Sequence, residues 1–257
     1  MMKKYVLDLT VVEVRKVNDR HVLLRLTDIE KPLPAMAPGQ FVEVRVDGSA
    51  KTFLRRPISI CNVEIDKNEL WLLVACIGDG TRWMATLKQN DRLNCVLPLG
   101  NGFTTNKAMK PLLIGGGVGV APLLFLGAEI KRGGGVPTFL LGARRKEDVL
   151  LIEEFEFLGN VLVTTEDGSM GEKGFVTDHS ILRQVYFDSI KTCGPTPMMK
   201  AVACFARQHQ VHCEASLENM MACGLGACLC CVEKTRRGNL CVCKDGPVFN
   251  IEELLWS

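Results

Sequence analysis

The sequence predicts a multidomain protein of β and α/β class: an antiparallel β-barrel, a parallel-sheet α/β domain and a small cysteine-rich C-terminal module. Three observations carry this. Six short apolar stretches, broken by Asp, Asn, Pro or Gly, fill residues 1–103, the pattern of a small antiparallel barrel. Strand-like and helix-like stretches alternate through residues 104–212, as they do when crossover helices cover a parallel sheet. Seven of the 12 cysteines (Cys213, Cys223, Cys228, Cys230, Cys231, Cys241 and Cys243) fall in residues 213–257. That segment is too short for a hydrophobic core of its own and calls for a metal or disulfide staple.

Composition narrows the class of function. Hydrophobic residues make up 47% and charged residues 23% of the 257 positions, an ordinary globular profile. With 31 Lys+Arg against 29 Asp+Glu, the formal charge of +2 gives no argument for nucleic acid or an acidic membrane surface. The start, Met1-Met2-Lys3-Lys4-Tyr5, is basic, but the apolar stretch behind it is broken at Asp8 and Glu13, so it does not read as a secretory signal. No window approaches the ~20 uninterrupted apolar residues of a membrane helix. The expected compartment is the cytoplasm, where disulfides are rare. Twelve cysteines there read as small buried hydrophobes or as metal ligands.

Element by element, strands are expected at Tyr5–Val17, His21–Thr27, Phe41–Val46, Pro57–Ile65, Leu70–Cys76 and Arg92–Leu97. One helix, Thr81–Leu87, is entered through Gly78-Asp79-Gly80. In the second part, strand Pro111–Ile114 runs into Gly115-Gly116-Gly117-Val118-Gly119 and then helix Ala121–Lys131. Strand Thr138–Leu141, helix Leu151–Leu158, strand Asn160–Thr164 and helix Ser180–Gln184 follow. Strand Ser189–Thr192, helix Met198–Gln208 and strand Val211–Glu214 complete the alternation.

The tail carries the most specific chemistry. Cys223-x4-Cys228-x2-Cys231, with a further cysteine downstream, has the spacing of a plant-type [2Fe–2S] loop. Two irons need four thiolates, and a tight loop supplies three. Gly224, Gly226 and Ala227 let the backbone approach and aim N–H groups at the sulfurs. The fourth thiolate is expected from a distant strand, and spacing alone leaves Cys241 and Cys243 both open. A structural zinc held by Cys228-x2-Cys231 and Cys241-x-Cys243 is the competing arrangement.

Two further motifs bind phosphates. Arg55-Arg56-Pro57-Ile58-Ser59 places a guanidinium, fit for a pyrophosphate, beside a Pro that holds the strand and a Ser within reach of a flavin edge. Gly80-Thr81 at a helix start adds amide donors for the same phosphates. The loop Gly115–Pro122, with Gly117 and Gly119, lies between strand and helix, where its amides can cradle a second pyrophosphate. Cys193-Gly194-Pro195 closes a later strand; Cys193 is read as lining a cofactor and not as a nucleophile. His21, His179, His209 and His212 form no metal or triad pattern, and no catalytic side chain is assigned.

Together these residues resemble a known family. Arg56-Pro57-Ile58-Ser59, Gly80-Thr81, Pro98–Phe103, the Gly115–Pro122 loop and Cys193-Gly194-Pro195 are similar to ferredoxin-reductase-type flavoproteins. The tail, in Cys213–Glu218, Met221–Cys228, Cys231-Val232 and Cys243–Phe249, is similar to electron-transfer subunits of NAD-linked, type B dihydroorotate dehydrogenases. The resemblance implies FAD on the barrel, with Leu73, Val74 and Ala75 lining it through the backbone. It implies NAD on the α/β domain and a [2Fe–2S] cluster on Cys223, Cys228, Cys231 and Cys243, which selects Cys243 over Cys241. It implies an FMN-containing catalytic partner subunit in a two-plus-two heterotetramer. Electrons from dihydroorotate oxidised on that FMN would pass through the cluster and FAD to NAD+, in pyrimidine (UMP) biosynthesis. A flavin/iron–sulfur subunit of another NAD(P)H-linked complex, such as a sulfide dehydrogenase or a transhydrogenase, is the alternative. Arg144-Arg145 after a strand is where a 2′-phosphate of NADP would be met; NAD is chosen by resemblance.

Overall fold

The computed structural model describes residues 3–47, 49, 51–105 and 110–256; Met1, Met2 and Ser257, which end the first and last expected divisions, lie outside the described residues. The first six strands are β1 (Tyr5–Asn18), β2 (His21–Thr27), β3 (Phe41–Val44), β4 (Arg56–Glu64), β5 (Glu69–Ala75) and β6 (Arg92–Leu99). They close into an antiparallel barrel in the order β1-β2-β5-β4-β3-β6, which leaves no edge unpaired. Side-chain alternation divides inside from outside. Val42, Val44, Ile58, Ile60, Leu72 and Val74 fill the interior. Phe41 and Glu43 on β3 therefore face outward, as do Ser59 and Pro57, their partners across β4.

Helix α1 (Asp79–Met84) starts two residues earlier than the sequence predicts. The Ile77 and Gly78 N–H groups donate to the Thr81 hydroxyl, which in turn donates to the Gly78 carbonyl (3.0–3.1 Å). Thr81 thus ties down the first turn from within, and Met84 and Leu87 drop into the barrel core.

The second unit contains β7 (Pro111–Gly116), α2 (Ala121–Arg132), β8 (Thr138–Ala143), α3 (Ile152–Leu158), β9 (Asn160–Thr165) and the short β10 (Glu172–Lys173). It continues through α4 (Ile181–Gln184), β11 (Ser189–Cys193), α5 (Thr196–Gln208) and β12 (His212–Ser216). Helix α2 is buried along most of its length. It lies against β4, and its Leu123 and Leu124 share one core with Leu23, Cys61 and Leu73 of the barrel and Phe139 of the sheet.

The tail forms a hairpin, β13 (Val232–Thr235) with β14 (Gly238–Cys241), then α6 (Val242–Asp245) and β15 (Val248–Asn250). The sheet order is β10-β9-β8-β7-β11-β12-β15, parallel except for β15, which runs antiparallel to β12. Strand β12 crosses the 212/213 division expected from the sequence, and β15 rejoins the same sheet. The tail borrows its apolar contacts: Cys231, Val242, Cys243 and Phe249 pack with Phe41 and Leu99 of the barrel and Ile190 and Ala215 of the sheet. Among the described residues no helix is long and apolar enough to cross a membrane.

Candidate functional site

Strand β4 brings the barrel motif to the surface. Pro57 and Ser59 face outward and are partly exposed, whereas Ile58 points into the barrel, so only its main chain is free for a ligand. Arg56 Nη1 donates to the Leu54 and Arg55 carbonyls at 2.9 and 3.2 Å. A methyl group on Gly80 would lie 3.4 Å from Arg56 Nε. The guanidinium thus sits beside the first turn of α1, whose N–H groups have no partners within the helix. That pairing of a cation with free amides fits a pyrophosphate. Because the Thr81 hydroxyl is engaged in its own turn, Thr81 offers its main chain there. On β5, Leu73 packs between barrel and sheet, Val74 fills the barrel and Ala75 is partly exposed. Their side chains do not form a pocket; the strand presents backbone that leads to α1.

The sheet order places β7 beside β11 with the chain leaving β7 in opposite directions, which makes their C-terminal ends a switch point where nucleotides bind. The glycine loop leaves β7 there and Cys193-Gly194 leaves β11. Gly117 is exposed, and a side chain there would meet nothing within 4 Å, so the loop keeps an open face. Gly119 is packed on the other strand end: a methyl on it would lie 2.5 Å from Gly194 Cα and N. The Cys193 thiol is wholly buried, and burial pushes it well above its ordinary range. It is a packing group, so only the backbone of its strand end is free for a ligand. Arg145, one of the two arginines where a 2′-phosphate would be met, pairs with Asp148 at 3.4 Å. Gly119→Ala is expected to push the loop off Gly194 and to lower NADH-dependent dye reduction on the order of 100-fold, with flavin and iron contents unchanged; assay of the purified protein with an artificial acceptor checks this.

The tail gathers all four cysteines. Leu225 N–H donates to Cys223 Sγ at 3.3 Å, Gly226 N–H to Cys243 Sγ at 3.1 Å, and Cys243 N–H to Cys231 Sγ at 3.4 Å. Burial alone would raise the Cys223 thiol, but the N–H groups of Leu225, Cys228 and Ala227 outweigh it and hold it at about 6. The same N–H groups favour the thiolate, the form that binds iron. Burial and the Cys231 contact push Cys243 up to about 12, which a bound metal would reverse. Gly224 and Gly226 have φ of 64° and 82°, the left-handed turns that let successive amides converge on sulfur. Among the described residues no three His, Cys, Asp or Glu side chains close on one point as the ligands of a single ion would. Four thiols linked pairwise and ringed by N–H donors fit a two-iron, two-sulfide cluster. Cys243 lies on the short helix α6 and not on the strand expected from the sequence, because the Asp245 carboxylate accepts from Cys241 N–H (2.8 Å) and winds the chain after β14. All twelve cysteines are free thiols; Cys204 and Cys230 are exposed and are not core packing residues, unlike buried Cys61, Cys95 and Cys213.

Two features lie beyond the sequence motifs. Glu43 is 1% exposed on the outer face of the barrel, and both its carboxylate oxygens lack a hydrogen-bond partner among the described residues. Burial raises it to about 7, against the pull of Arg55 and Arg56 and with Cys223 adding to the rise. Its one sequence signal is a lone acid between Val42 and Val44. The second is a buried ion pair, Lys191 Nζ to Glu214 Oε2 at 2.8 Å, which also takes the Thr104 N–H at 3.0 Å.

A barrel with a phosphate-ready strand, a sheet with a nucleotide switch point and a four-thiol cradle define an iron–sulfur oxidoreductase subunit of ferredoxin-reductase-like fold. Residues 218–255 match the iron–sulfur cluster binding domain of dihydroorotate dehydrogenase B, and residues 113–204 match the oxidoreductase NAD-binding domain. The chain is 40% identical to the dihydroorotate dehydrogenase B (NAD(+)) electron transfer subunit of Shouchella clausii, across 85% of this chain and 86% of that one. It is 35% identical to the Bacillus pumilus subunit of the same name over 100% of both chains. A solved NADH-dependent reduced ferredoxin-NADP oxidoreductase, studied for flavin-based electron bifurcation, is 32% identical with a TM-score of 0.86, over 96% of this chain and 90% of that one. The chain belongs to the family of dihydroorotate dehydrogenase B (NAD(+)) electron transfer subunits.

Proposed function

We propose that this chain carries electrons from the FMN of a catalytic dihydroorotate dehydrogenase subunit, through its [2Fe–2S] cluster and FAD, to NAD+, in pyrimidine biosynthesis. The observation that carries the reading is the packing of the Cys223–Gly224 turn onto the outer barrel face that bears Pro57 and Ser59, which supports a cluster lying beside the flavin. When bound, the cluster exchanges single electrons and the flavin couples them to two-electron exchange with NAD+. Arg56, Gly80 and Thr81 hold the FAD phosphates, Pro57, Ile58 and Ser59 its ring edge, and the backbone of Leu73, Val74 and Ala75 its flank. Gly117, Gly119, Cys193 and Gly194 line the NAD site, and Cys223, Cys228, Cys231 and Cys243 ligate the irons. The three parts are residues 1–103, 104–212 and 213–257, with β12 shared by the last two.

The cluster loop leaves Cys228 exposed beside exposed Met220, Leu225 and Leu229. Apolar surface of that kind is what a partner covers, which supports assembly with the catalytic subunit; the two-plus-two stoichiometry rests on the family resemblance. Twelve free thiols support the cytoplasm as its compartment. The test is co-purification with the catalytic subunit followed by dihydroorotate-dependent reduction of NAD+. The 32% identical bifurcating oxidoreductase supports a second reading, a subunit of another NAD(P)H-linked complex. Assembly with a different partner, and no NADH formed from dihydroorotate, would decide for it. Arg56→Ala is expected to weaken FAD retention by about 1.5–3 kcal/mol, roughly 10- to 150-fold in Kd; flavin content after dialysis measures it, and unchanged occupancy would remove Arg56 from the site.

A further inference from the structure

A carboxyl group buried without a hydrogen-bond partner costs folding free energy, and among the described residues Glu43 has none. Its location is specific. On β3 it stands across from Pro57 of β4 and from Val96 of β6. Gly224, next to Cys223, lies directly on its side chain: a methyl there would be 2.7 Å from Glu43 Cγ and 3.1 Å from Oε1. The nearest cation does not neutralise it through a hydrogen bond. Arg55 Nη1 donates to the main-chain carbonyls of Glu43 and Asn94, each at 3.2 Å, and its Nη2 is taken by the Asn94 side chain. The carboxyl group is therefore lodged, out of water, between the strand that carries Arg56–Ser59 and the turn that carries Cys223.

We propose that Glu43 is a positioning residue for the cluster, a carboxylate that lowers its reduction potential and so favours passage of its electron to the flavin. The proposal rests on the functional reading above. Potentials of iron–sulfur centres respond to nearby charge, to hydrogen bonds at sulfur and to solvent exposure. In its ionised form the carboxyl group sets a negative charge against the ligand turn, screened from water, and that charge opposes the arrival of an electron. The contact exists because residue 224 has no side chain to hold the carboxyl group away.

The assembled complex is purified as the unaltered protein, Glu43→Gln and Glu43→Asp. Iron, sulfide and flavin contents and the visible spectrum are measured first; an unaltered complex without iron overturns the functional reading itself. Potentiometric titration above neutral pH, where the carboxyl group is ionised, followed by EPR of the reduced cluster then tests Glu43. The Glu43→Gln cluster is expected to titrate at higher potential, changing the cluster–flavin electron-exchange constant about tenfold, which is about 59 mV for one electron. Its reduced EPR signal is expected to shift, and Glu43→Asp is expected to move in the same direction by less. A fully iron-loaded Glu43→Gln complex with the unaltered potential and EPR signal overturns the proposal. If Glu43→Gln does not assemble, an unshifted Glu43→Asp cluster overturns it equally.

Discussion

Cys243→Ser is expected to yield protein without its iron, while Cys241→Ser keeps the full two irons of a [2Fe–2S] centre. The two residues are neighbours on the hairpin exit, so the contrast tests geometry and not composition. Cys243 Sγ accepts the Gly226 N–H of the loop that carries Cys223 and Cys228, and its own N–H donates to Cys231 Sγ. A thiol in that position links the Cys223–Cys228 loop to Cys231. Cys241 ends β14 opposite Val232, with its N–H bound by Asp245, so it serves the turn that presents Cys243. Removing one of four thiolates takes away a ligand, and Cys241, held in the turn by Asp245, is not expected to take its place, so the effect is loss of the cluster rather than a graded change. Iron and acid-labile sulfide per chain, with the visible absorption of the purified protein, measure both variants. Iron retained in Cys243→Ser and lost in Cys241→Ser would exchange their roles.

This contrast marks where the sequence was legible and where it was not. The barrel and the alternating sheet were legible because burial on one face imposes a period of two on stretches such as Leu7–Val11 of β1, and crossover helices such as α2 interrupt that period with apolar runs. Cys223, Cys228 and Cys231 were legible as candidate ligands because they lie in one short loop, where spacing stands in for geometry. The proposed fourth, Cys243, was not legible from spacing. Residues 241 and 243 differ by two positions, and which sulfur faces the loop depends on Asp245 winding a helix that no periodicity announces. Ile58 shows the same limit. Its place in the motif was readable, but the pleat turns its side chain into the barrel. Glu43 and the Lys191–Glu214 pair were not readable as a site because their partners are far along the chain: Gly224 for the first, and for the second a contact between adjacent strands 23 positions apart. The sheet itself reaches into the tail through β15, a strand of three residues, too short for pattern to reveal.

Glu214→Ala is expected to destabilise the protein by about 3–5 kcal/mol, the cost of leaving a buried ammonium without its partner. Lys191 is 2% exposed on β11 and Glu214 is 6% exposed on β12, so water cannot take the place of the lost carboxylate. The pair also stitches the architecture together. Glu214 accepts the Thr104 N–H at the exit from the barrel, Lys191 lies two residues before the Cys193 strand end, and β12 carries β15 of the tail on its other side. Loss of the carboxylate is therefore expected to loosen the joint among all three parts, with an apparent Tm lower by roughly 6–20 °C at about 2–4 °C per kcal/mol. Replacing both residues with apolar ones of similar size, Lys191→Met with Glu214→Leu, is expected to recover most of the loss, because the destabilisation comes from the stranded charge and not from a large net gain of the pair. The pH dependence gives a second check. Burial alone would raise the Glu214 carboxyl, but hydrogen bonds from Lys191 and Thr104 outweigh it and hold it below its ordinary range. A group whose folded value is depressed contributes stability that is fully present above its unfolded value, about 4.3, and is lost as pH falls through the folded value. Thermal melts from pH 7 down to pH 3 should accordingly show a shallower acid decline in the double apolar variant than in the unaltered protein. Parallel declines would mean that Glu214 is not among the carboxylates whose protonation drives acid unfolding.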